Sequence, residues 1–62
     1  MIGKTVKYKE GADEKEYIIV DFSEKTEMFD PEICILVDFP YYPNRIKQLK
    51  IWQPLYRFYI LD

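Results

Sequence analysis

Ile18-Ile19-Val20-Asp21-Phe22 and Ile35-Leu36-Val37-Asp38-Phe39 read nearly alike, seventeen residues apart, and together they decide the fold class. Each is a short apolar run rich in β-branched and aromatic residues, bounded by polar, turn-prone sequence. Neither carries an apolar stripe at i, i+3, i+4, and both fit the strand signature. Five shared positions are too few to define a repeat, and the likeness follows from two central strands shaped by one pattern, Val and Phe inward with Asp outward. The two carboxylates do not mark a cation site, because no Asn, Gly or further acid flanks them at metal-loop spacing.

Three more strands follow on working outward. Lys4 to Lys9 alternates, with Val6 and Tyr8 on one face and Thr5, Lys7 and Lys9 on the other. The loop Glu10-Gly11-Ala12-Asp13 then leads to a strand over Glu16 to Phe22, and Gly11 supplies the permissive backbone of the turn. Ser23 to Glu32 is a long polar connection carrying an apolar pair, Met28-Phe29, ahead of the strand Ile33 to Phe39. The turn Pro40-Tyr41-Tyr42-Pro43-Asn44 is fixed by two prolines. Arg45 to Trp52 is read as a strand because Leu49 and Ile51 alternate; Ile46 and Leu49 stand at helical spacing, so a short helical turn near residues 44–52 is the alternative. Pro54 breaks that segment, and the aromatic-rich strand Leu55 to Leu61 closes the chain.

Sixty-two residues make one domain, spanning 1–62, with 48% hydrophobic and 18% aromatic residues. A chain of this length buries only roughly 60% of the surface its unfolded form exposes. Eleven aromatic side chains are the means of a dense core. Five short strands must curl on one another to bury their inward faces, which predicts an all-β fold, a small five-stranded barrel. The inward set is Val6, Tyr8, Ile18, Val20, Phe22, Ile33, Ile35, Val37, Phe39, Tyr56, Phe58 and Ile60. Tyr17, Ile19, Cys34, Leu36, Tyr59 and Leu61 are left pointing outward. That surplus is covered either by Met28-Phe29 folding over it as a lid, or by a second copy or a partner protein.

The opening Gly3-Lys4-Thr5-Val6-Lys7-Tyr8, the runs Tyr17 to Phe22 and Ile35 to Phe39, and a late proline-bearing turn before the last strand resemble the SH3-like barrels of the Tudor and KOW kind. The resemblance implies the barrel and leaves function open. The chain has neither the basic strip of KOW nucleic-acid binders nor an aromatic cage that maps onto Tudor methyl-lysine readers.

The inventory of reactive groups argues against an enzyme. There is no histidine, so an imidazole base and a histidine-bearing zinc site are excluded, and a lone cysteine supplies neither a disulfide nor a metal centre. Ser23 and Thr26 lie in an acidic stretch that does not activate a hydroxyl. No cofactor or metal is expected. The free thiol points to a reducing compartment, the cytoplasm, and no run is long enough to span a bilayer. The start of the sequence, Met-Ile-Gly-Lys-Thr, also lacks an apolar signal core.

Charge is segregated along the chain. Residues 10–32 hold nine acids against two lysines, while residues 1–9 carry three lysines and residues 33–62 four cations against two acids. The overall charge of −2 disfavours phosphate binding. Two candidate partner-binding surfaces follow. Tyr41 and Tyr42 with Arg45, Lys47, Lys50, Trp52 and Arg57 combine the residue types that dominate interface hot spots, and Tyr59 adds an outward ring. Met28 and Phe29, flanked by Glu24, Glu27, Asp30 and Glu32, form an apolar anchor in an acidic collar, where the charges steer encounter and the apolar pair sets the dissociation rate.

The reading is a non-enzymatic protein-binding module, with homo-oligomerisation as a further possibility. The alternative is a small nucleic-acid-binding barrel that stacks bases on Tyr and Trp and holds phosphates with Arg and Lys. In size and composition the chain resembles the short inhibitors and host-takeover proteins of bacteriophages and mobile elements, anti-defence proteins among them. That resemblance implies an inhibitor, acting in the host cytoplasm, that occupies a surface of a nucleic-acid-handling or defence complex.

Overall fold

Five antiparallel strands form one sheet in the computed structural model, which describes residues 1–11, 14–24 and 26–61. They are β1 (Thr5–Tyr8), β2 (Tyr17–Ser23), β3 (Glu32–Tyr41), β4 (Arg45–Pro54) and β5 (Phe58–Ile60), in the order β4-β3-β2-β1-β5. Ala12 and Asp13, the second half of the expected Glu10 to Asp13 loop, lie outside the described residues. Gly11 takes a φ of +114°, a conformation that a side chain makes costly, as its place in that loop requires.

The segment 45–52 is strand. Asn44 belongs to the three-residue turn after Tyr41, and β4 pairs with β3 at every position from Tyr41↔Arg45 to Glu32↔Pro54. The helical alternative near residues 44–52 is therefore corrected. The helical spacing of Ile46 and Leu49 has no structural counterpart, since Leu49 is half-buried while Ile46 is 71% exposed. The one helical turn among the described residues is a 3-10 turn at Leu55–Arg57, where the sequence reading has strand. A 3-10 turn repeats every three residues, so Leu55 and Phe58 both reach the core and Tyr56 is turned out to solvent. This overturns the inward placement of Tyr56.

Val6, Ile19, Ile33, Ile35 and Phe58 form the buried core, with Tyr8, Tyr17, Phe22, Val37, Ile51 and Leu55 packed against it. Tyr8 lies between two rings, edge-on to Tyr17 at 5.6 Å and tilted against Phe58 at 4.4 Å, a geometry that aromatic quadrupoles favour. The facing of β2 differs from simple alternation. Tyr17 and Ile19 point in, and Ile18 is 54% exposed. Between Ile19↔Ile35 and Asp21↔Cys34 the register shifts by one, so Val20 is an extra residue in a bulge. The bulge resets the alternation and returns Phe22 to the core face. It also marks where β2 passes from pairing with β1 to pairing with β3.

Cys34 is buried although it alternates with Ile33 and Ile35, and it lies in register between Asp21 and Trp52. Ile60, expected inward, is about half exposed because β5 is an edge strand with β1 as its one neighbour. Phe39, also expected inward, is 53% exposed. The β2–β3 ladder ends at Ile19↔Ile35, so beyond it β3 pairs with β4 alone; Val37 still packs against the core, and from Asp38 onward the strand is exposed. The outer part of β3–β4 thus runs beyond the core as a two-stranded ribbon. Extents of 44 × 22 × 20 Å and a radius of gyration of 12.8 Å reflect it, against about 10.6 Å for a compact chain of this length.

Candidate protein-interaction surfaces

Pairing on the ribbon sets its two faces. Phe39 stands opposite Lys47 and Tyr41 opposite Arg45, on the face that continues Ile35, Val37, Leu49 and Ile51 outward from the core. Pro40 and Ile46 pair on the reverse side, as do Asp38 with Gln48 and Leu36 with Lys50. Tyr42 at the turn is 92% exposed. A hollow of about 510 Å³ is lined by Phe39, Tyr41, Ile46, Lys47 and Leu49, and a second of similar size wraps the turn from Pro40 to Ile46. Asp38, the one acid on the ribbon, bonds Lys15 Nζ at 3.4 Å and accepts from Gln48 Nε2 at 3.4 Å. Arg45, Lys47 and Lys50 are the cations of β4, which has no acidic residue.

The β2–β3 connection holds the second surface. The Thr26 N–H donates to the Phe29 carbonyl at 3.0 Å, and Thr26 Oγ1 accepts from the Phe29 N–H at 3.0 Å and the Met28 N–H at 3.3 Å. These bonds close a tight turn whose apolar residues face solvent, Met28 being 84% and Phe29 66% exposed. Met28-Phe29 is therefore not a lid over the sheet. Glu27 and Asp30 flank the pair and are exposed. The connection is anchored at its far end, where the Leu55 N–H donates to the Pro31 carbonyl at 2.9 Å.

A third place is a cleft of about 470 Å³ lined by Tyr8, Lys9, Glu10, Tyr56 and Arg57. Burial raises the Tyr8 hydroxyl pKa above the ordinary tyrosine value; the neighbouring Tyr17 adds to this, and the Arg57 cation partly offsets it. Arg57 also donates to Gln53 Oε1 at 3.3 Å. Tyr59 lies beyond the cleft with Lys9 Nζ 5.5 Å from its ring centre, within cation–π reach.

The structure thus distributes the residues that the sequence grouped together. Tyr41, Tyr42 and Arg45 share the ribbon tip with Lys47. Trp52 is half-exposed near the base of β4, opposite Cys34 and on the other face from Arg45. Arg57 and Tyr59 belong to the β1–β5 side. Met28, Phe29, Glu27 and Asp30 make a separate turn. The sequence reading missed Phe39, which alternation placed in the core, Ile46, noted only for its spacing from Leu49, and Thr26, whose role in closing the turn was visible as a hydroxyl three residues ahead of Phe29.

Among the described residues no group of three or more Cys, Asp or Glu side chains is placed to hold a metal ion, and no helix is long and apolar enough to cross a membrane. Searches of known proteins give no relative: no family model, no curated protein and no solved structure matches the chain.

Proposed function

We propose that this chain is a non-enzymatic protein-binding module built on a small SH3-like barrel, and that its β3–β4 ribbon is the main contact surface. The strand order β4-β3-β2-β1-β5, with a 3-10 turn between β4 and β5, supports the fold reading. The functional reading rests on one observation. The ribbon leaves the core with Phe39, Tyr41, Tyr42 and Ile46 uncovered beside Arg45 and Lys47. Aromatic and aliphatic side chains held out by a paired backbone lose little freedom on binding, which favours affinity. A binder without catalytic groups acts by occupying a surface, the mode of the short phage-encoded inhibitors it resembles.

The test is quantitative capture from lysate with the wild-type chain and with Tyr41→Ser/Tyr42→Ser, folding being checked by circular dichroism. A protein retained by the wild type and lost by the folded variant is the expected result. Equal recovery by both overturns the assignment of the ribbon.

The placement of Arg45 and Lys47 opposite Tyr41 and Phe39, beside Tyr42, favours a second reading, single-stranded nucleic-acid binding. Titration of labelled DNA and RNA at two salt concentrations decides it. Tight binding that weakens steeply with salt replaces the protein-binding reading.

A further inference from the structure

We propose that the acidic Thr26–Phe29 turn of one copy docks on the aromatic, basic ribbon of a second copy, giving a reciprocal two-fold dimer. The inference rests on reading the ribbon as a protein-binding surface and names one occupant for it.

Opposite charge and exposed apolar side chains on both surfaces point to this partner. The turn carries Met28 and Phe29 in solvent, held there by three hydrogen bonds, with Glu24, Glu27 and Asp30 around them. The ribbon offers the converse. Phe39 and Tyr41 are the apolar groups of its core-side face, paired with Lys47 and Arg45, and Ile46 borders the hollow from the reverse side. Its one acid, Asp38, is already bonded to Lys15.

The two surfaces of a single copy cannot meet. The turn enters β3 at Glu32 and the hollow lies from Phe39 onward, at least seven residues along an extended strand, or about 23 Å. Phe29 is three residues from Glu32 and reaches at most about 11 Å. A second copy laid antiparallel to the first puts each turn on the other's ribbon, so both contacts form at once and the assembly closes. Direct pairing of two β4 edges is the competing arrangement. Arg45, Lys47 and Lys50 along that edge, with no acid among them, weigh against it, since charged edges guard strands from self-association.

Sedimentation equilibrium of the full chain tests the proposal, from about 10 µM to about 1 mM protein, at low and high sodium chloride. The expected result is a monomer–dimer equilibrium that weakens about tenfold or more in high salt. Phe29→Ser abolishes it in a chain that stays folded. Two charge-reversed chains, Glu27→Lys/Asp30→Lys and Arg45→Glu/Lys47→Glu, each remain monomeric alone and form a heterodimer when mixed.

A wild-type chain that stays monomeric throughout overturns the proposal, as does a dimer indifferent to Phe29→Ser, a mixture that fails to pair, or open-ended chain growth. A monomer that still captures a protein through Tyr41 and Tyr42 overturns self-docking and leaves the ribbon's role intact. Loss of both overturns the two readings together.

Discussion

Replacing Ile18 and Ile19 by alanine, one at a time, tests the bulge that organises β2. Strict alternation puts Ile18 inward with Phe22 and leaves Ile19 outside; the shifted register between Ile19 and Asp21 does the reverse, burying Ile19 completely. Truncating a fully buried isoleucine removes apolar contacts and leaves a cavity, at a cost of about 2–5 kcal/mol. A domain of this length is stable by about 3–9 kcal/mol in all, so Ile19→Ala removes a large share of it. Ile18 is half in solvent across from Thr5 on β1, and its truncation is limited to partial burial and strand propensity, about 1 kcal/mol or less. With a urea m-value of about 1 kcal/mol/M, the midpoint falls by about 2 M or more for Ile19→Ala and by about 1 M or less for Ile18→Ala. Urea titrations followed by circular dichroism read the two midpoints. A loss for Ile18→Ala equal to or greater than that for Ile19→Ala refutes the bulge and restores simple alternation.

Three further outcomes follow from local chemistry. Because folding raises the Tyr8 pKa, the native state holds this proton more tightly than the unfolded chain; the stability it contributes is complete below about pH 10, the unfolded value, and is lost as pH rises through the higher folded value. Absorbance titration of the folded protein should show a late-ionising tyrosine that Tyr8→Phe removes, and a Tyr8→Phe titration identical to wild type would contradict this. Thr26→Ala takes the side-chain acceptor from the Met28 and Phe29 amides and removes two of the three bonds closing the turn, so amide exchange at Met28 and Phe29 should quicken while global stability falls by about 1 kcal/mol or less; unchanged exchange would contradict the turn. Buried Cys34 should react with a thiol reagent only as fast as the protein opens, and rapid labelling under native conditions would show that it is accessible.

How far the sequence spoke for the fold depends on which forces are local. The two apolar runs and the turn chemistry around Gly11 and Pro43 are local signals, and the all-β class and all five strands were legible from them; Pro40 and Tyr41, read into the turn, belong to β3, where they pair with Ile46 and Arg45. Facing was less so. The extra residue at Val20 exists because β2 must serve β1 and β3 in turn, a demand made by neighbours rather than by Ile18 or Ile19. Leu55 to Arg57 alternates as a strand would, yet the three-residue connection from β4 to β5 takes it as a 3-10 step.

The candidate surfaces divide in the same way. The residue types at Tyr41, Tyr42, Arg45, Met28 and Phe29 marked them as binding residues from composition alone. Phe39 was read as core because alternation along a strand carries no information about where the neighbouring strand stops. Whether Met28-Phe29 covers the sheet or leaves it was open for a similar reason, since the Thr26 hydrogen bonds that hold the pair outward depend on how the chain folds back at residue 29. The distance separating Tyr41 from Arg57 and Tyr59 is likewise set by sheet order.

The central claim is that the projecting ribbon is a protein-contacting surface. Its most direct test is site-specific photo-crosslinking in cells of the source organism, with a benzophenone amino acid at Tyr42 and, as a control, at exposed Glu14. The account predicts discrete protein adducts from position 42 and none from position 14. Nucleic-acid adducts alone at position 42, or protein adducts from the control with none from the ribbon, would contradict it.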